Sequence, residues 1–128
     1  MDTIRVIAQT VLRITGAIQI ILGLLFWTGN AYSLIPVHIL SGLILVLALW
    51  TLAVVALITG ANRGLALVAI VWGVIVPVLG LTQSGLLQGS LHWIIEVIHL
   101  LVGLAAIGIG MRLARDIKDE RAQPQLAS

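Results

Sequence analysis

The sequence predicts an all-α integral membrane protein, a four-helix up-and-down bundle. Composition is the first reason. Hydrophobic residues make up 60% of the chain and charged residues 9%, with a mean hydropathy of +1.16, whereas an ordinary soluble domain is about 25% charged. The second reason is segment length: four apolar stretches each reach the ~20 residues that an α-helix needs to cross a bilayer. The third is pattern. Runs such as Ile39 to Ile58 are apolar on every side and lack the period-two alternation of barrel strands, and a helix satisfies its own backbone hydrogen bonds in lipid.

Span one covers about residues 4–28. Asp2, Arg5 and Arg13 precede or begin it, and no small-residue cleavage site follows, so it reads as a retained helix and not a signal peptide. Span two, about 35–59, opens on Pro36, a normal first-turn proline. Span three, about 64–83, contains Pro77, which should kink it or free a carbonyl near residue 73. Span four, about 89–113, carries His92, Glu96 and His99. Residues 1–117 thus form one transmembrane domain. Residues 118–128 form a polar tail, read as a helical extension that frays into disorder.

All seven basic residues, Arg5, Arg13, Arg63, Arg112, Arg115, Lys118 and Arg121, fall at the termini or the connection 61–64. The connections 29–34 and 84–88 carry no charge. By the positive-inside rule both termini are cytoplasmic, in a multi-pass protein of the cell inner (plasma) membrane. Phe26, Trp27, Tyr32 and Trp93 mark the outer interface. Little chain is left for a soluble module, so a stand-alone enzyme domain and a nucleic-acid partner are not expected. The absence of cysteine removes disulfides, thiolate metal sites, iron–sulfur clusters and covalent haem attachment.

Two echoes run through the chain. Gly16 to Leu24 and Gly73 to Leu81 share G-x-I-x-x-x-L-G-L, and Val37 to Leu43 and Ile98 to Leu104 share aliphatic-His-aliphatic-Leu-x-Gly-Leu. If these record a tandem repeat, each half is a transmembrane hairpin, and the halves are related by an axis along the membrane normal.

Three histidines and one glutamate lie inside the spans: His38, His92, Glu96 and His99. Such groups are costly in lipid and by default mark a site facing the bundle interior. His92, Glu96 and His99, spaced i, i+4 and i+7, share one helix face. Without cysteine, a haem b would be held by two neutral imidazoles. The repeated pattern selects His38 with His99. Gly42 and Gly103, one turn beyond each, would let a flat macrocycle approach the backbone, and Gly16, Gly23, Gly73 and Gly80 would make the same allowance on the other helices. Depth argues for a different pair. His38 lies about three residues inside span two and His99 about ten inside span four, a mismatch of roughly 10 Å, so His38 with His92 is the second choice. Glu96 would act as a hydrogen-bond partner to a ligating imidazole or as a proton acceptor.

This arrangement, His38 with His99 or His92 and glycines around them, resembles the four-helix membrane b-type cytochromes. The resemblance implies a bis-histidine haem and electron transfer, often with a quinone nearby. Other readings stay open. Glu96-x-x-His99 has di-iron spacing, but Glu96 is the sole carboxylate in the spans and a di-iron centre needs several. A zinc or copper ion on His38, His92, His99 and Glu96 is chemically permissible, as is a proton relay or proton- or metal-linked transport through the same cluster. A purely structural role for the histidines, in a non-catalytic accessory or scaffold subunit of a larger membrane complex, is the competing class. The small residues of span four, Gly103, Ala105, Ala106, Gly108 and Gly110, suit close helix contact, including a homodimer face. No serine or aspartate accompanies the histidines as a hydrolase would require.

Overall fold

The computed structural model describes residues 1–126. Its elements are four helices, α1 (Asp2–Trp27), α2 (Ile35–Thr59), α3 (Arg63–Thr82) and α4 (His92–Leu126), with 3-10 turns at Tyr32–Leu34 and Gln83–Gly85. No strand occurs among the described residues. All four helices are long and apolar enough to cross a membrane. Large aliphatic side chains stand exposed on each, for example Ile21, Leu40, Val71 and Leu101, as a bundle surrounded by lipid requires.

Local chemistry sets the helix ends. Pro36 sits in the first turn of α2, where its missing N–H is unpaired in any helix. Gly60 ends α2 at a φ of 82°, a left-handed position that suits glycine. Asn62 then caps α3, its side-chain oxygen accepting from the Leu65 N–H at 3.2 Å. The Asn62 amide donates to the Asp116 carboxylate at 2.6 Å, and Arg112 Nε donates to the other carboxylate oxygen at 2.8 Å. This ties the α2–α3 turn to α4.

Helix α2 contacts the other three, and α1 and α3 each pack against α2 and α4. The core is concentrated toward the charged end of the bundle. Leu12, Leu49, Leu52, Leu113 and Ile117 are its largest fully buried side chains, with Ala53, Ala56, Ala66 and Ala114 between them. A Cβ at Gly110 would lie 2.6 Å from Leu12 Cδ2 and 3.3 Å from Leu49 Cδ1, so glycine is what permits α4 to close on α1 and α2 there. Trp50 Nε1 donates to the Ile70 carbonyl at 3.1 Å and Trp72 Nε1 to the Val102 carbonyl at 2.9 Å, linking α2 to α3 and α3 to α4.

Helix α4 starts at His92 rather than near residue 89, and it continues as the expected helical extension through the polar tail to Leu126. Packing explains the extension: Ala114 and Ile117 are fully buried, and Asp116 is held by Asn62 and Arg112. The last two tail positions, 127 and 128, lie outside the described residues. Helix α3 runs unbroken through Pro77, whose absent N–H leaves the Gly73 carbonyl without its helical donor.

Candidate functional site

The half of the bundle away from the charged end is not packed solid. It holds a cavity of about 530 Å³, within the 300–1,000 Å³ typical of ligand sites. It is lined by His38 and Gly42 from α2, and by His92, Glu96, His99 and Gly103 from α4. Gln19, Gly23 and Phe26 of α1 and Gly80 of α3 complete the walls, and Tyr32, Gln83 and Ser84 stand where the cavity meets the uncharged connections. A smaller cavity of about 50 Å³ lies beside the same two histidines, lined by Gln19, Pro77 and Gly80 among others.

The fold brings His38 and His99 together. Their ring centroids are 6.2 Å apart, with the planes at 61°. The depth objection fails because α4 begins at His92, so His99 is its eighth residue and His38 the fourth of α2. The remaining offset of four residues is about 6 Å, which two imidazoles reaching toward each other can span. The second-choice partner makes no ring contact with His38 among the described residues. His92 lies two turns before His99, and its Nδ1 is 3.1 Å from the Leu86 carbonyl.

The echoed glycines hold equivalent places. A Cβ at Gly23 would lie 3.9 Å from Cε1 of His38, and one at Gly80 would lie 3.1 Å from Cε1 of His99. Each imidazole thus turns its Cε1 edge to the glycine of the helix before it. The other echoed pair does something different: Gly16 admits Ile107 and Gly73 admits Trp50, so these two serve helix packing. A Cβ at Gly103 would meet nothing within 4 Å, whereas one at Gly42 would lie 3.4 Å from the Gln19 amide.

The surroundings of His38 include contacts that the sequence left unread. Phe26 meets its ring edge-on with centroids 5.3 Å apart. Gln19 Nε2 donates to the His38 carbonyl and to Ser41 Oγ, both at 2.6 Å, and Ser41 Oγ donates to the same carbonyl at 3.2 Å. Ser41 and Phe26 carried no signal of their own beyond lying near His38 or the interface.

Nδ1 of His38 and Nδ1 of His99 are buried without a hydrogen-bond partner. A buried polar atom left unpaired costs about 1–3 kcal/mol, and two of them occur here on neighbouring rings. Glu96 is half-buried on the cavity wall and makes no ion pair with the described residues. No three histidine or carboxylate side chains among the described residues converge as a metal-ion site, so the geometry gives no support to a mononuclear ion held jointly by His38, His92, Glu96 and His99.

Fold and site together define a four-helix bundle of membrane-spanning length that carries a histidine-lined cavity in one half. No protein-family model, curated protein or solved structure matches the chain.

Proposed function

We propose that the protein is a membrane b-type cytochrome, a haem-binding electron carrier in which His38 and His99 would hold the haem. The observation that carries this is the imidazole pair at the cavity wall, each ring with an unpartnered buried nitrogen. The two rings stand 6.2 Å apart by their centroids, close enough that both would reach one group held in the cavity. The open face at Gly103 supports the approach of a flat macrocycle.

When bound, the haem supplies one-electron redox chemistry at its iron. The chain's own contribution is placement and exclusion. Gln19 and Ser41 fix the backbone beneath His38, Gly80 leaves room for the His99 ring, and Leu12, Leu49, Leu52, Leu113 and Ile117 close the charged end of the bundle. A haem held there would be reached from the uncharged end or the lipid, where a membrane-soluble quinone is the partner that the resemblance to b-type cytochromes implies. The basic residues at the closed end support an orientation with both termini in the cytoplasm, which reporter fusions at each terminus test.

The direct experiment is to express the protein with ample haem, purify it in mild detergent and record oxidised and dithionite-reduced visible spectra. A Soret band with sharp reduced α and β bands is the expected result. A featureless spectrum overturns the reading and puts the accessory-subunit class in front.

A further inference from the structure

We propose that Glu96 is a redox-linked proton acceptor: its carboxylate takes up one proton when the His38–His99 site gains one electron, and returns it when that electron leaves. The inference rests on the haem reading above.

Location sets this residue apart. Of the five carboxylates, Asp2, Asp116, Asp119 and Glu120 belong to the charged end, and Glu96 alone lies in the half that holds the cavity. Asp2 is paired with Arg5 and Asp116 with Arg112, whereas Glu96 has no such cation among the described residues. On α4 it stands one turn before His99 and one turn after His92, on their shared face.

The cavity extends from Glu96 toward the uncharged end of the bundle. From Glu96 the lining continues past His92 to Tyr32, Gln83 and Ser84 at the uncharged end. The other end is closed by the leucine and isoleucine core. The titratable groups lining the cavity are His38 from α2, Tyr32 from the turn before it, and His92 and His99 from α4; the polar groups from α1 and α3 or its following turn are the uncharged Gln19, Gln83 and Ser84. Among the described residues no lysine or arginine lines the cavity to compensate an added electron.

In a low-dielectric site, added negative charge favours the neutral form of a nearby carboxylate. One electron in and one proton in leave the net charge of the cavity unchanged. By linkage the effect is reciprocal: loss of the proton must make the electron harder to add.

The test is redox potentiometry of the haem-loaded full chain in nanodiscs as a function of pH, with dithionite as reductant, beside redox-difference infrared spectra. The wild-type midpoint should fall as pH rises, by at most about 59 mV per tenfold change in proton concentration for one electron. Glu96→Gln should flatten that slope and remove a carboxyl C=O difference band, while Glu96→Asp keeps the slope and shifts the band. If Glu96→Gln loses haem, the band shift in Glu96→Asp decides. A midpoint independent of pH, or a slope and band indifferent to Glu96, overturns the proposal and leaves the haem reading standing. A colourless protein overturns both.

Discussion

His38 on α2 and His99 on α4 belong to separate helical hairpins, yet their imidazoles meet with ring centroids 6.2 Å apart. Their roles separate from that of the third histidine. His38→Ala and His99→Ala should each abolish the reduced α band while the protein still inserts in the membrane. His92→Ala, whose ring nitrogen faces the Leu86 carbonyl, should keep it. Spectra normalised to protein amount decide, and loss of colour in His92→Ala alone would reverse the ligand assignment.

The two glycines that back these rings are predicted to differ in tolerance. A methyl group at Gly80 would lie 3.1 Å from His99 Cε1, so the ring must shift, whereas at Gly23 the distance to His38 Cε1 is an ordinary 3.9 Å. Gly80→Ala should therefore alter the electron paramagnetic resonance signal of the oxidised protein, which reports ligand-plane orientation. Gly23→Ala should leave it unchanged.

Gln19 joins α1 to α2 through the His38 carbonyl and Ser41. Interhelical hydrogen bonds in membrane proteins contribute about 0.6 kcal/mol on average and up to about 1.7. Gln19→Leu should lower stability by that order, read as a shift in unfolding in mixed micelles. An effect well above it would mean that the amide has a further partner.

Close packing at the charged end predicts a steric asymmetry within α4. Gly110→Leu places side-chain atoms on Leu12 and Leu49, and overpacking of this kind costs about 1–3 kcal/mol. At Gly108 a Cβ meets nothing within 4 Å, so Gly108→Ala should be neutral. Thermal unfolding of the two variants in detergent distinguishes them.

The four helices were legible because each long apolar run has only one way to pair its backbone in lipid. The site was legible in part for the same reason: an ionisable residue in such a run has to face inward, and His38, His92, Glu96 and His99 all line one cavity. Ser41 and Phe26 were not readable as neighbours of the site. A small hydroxyl and an interfacial aromatic become informative only when another helix presents a carbonyl, an amide or a ring to them.

By itself the sequence determined the helix class, the number of spans and the segregation of basic residues to one end, since these follow from apolar run length and charge position. Which histidines meet was decided only by the tertiary structure. The pairing depends on where α4 begins, on the room left by Gly80 beside His99 and on the register in which α2 and α4 pack, and none of these is a property of one helix alone.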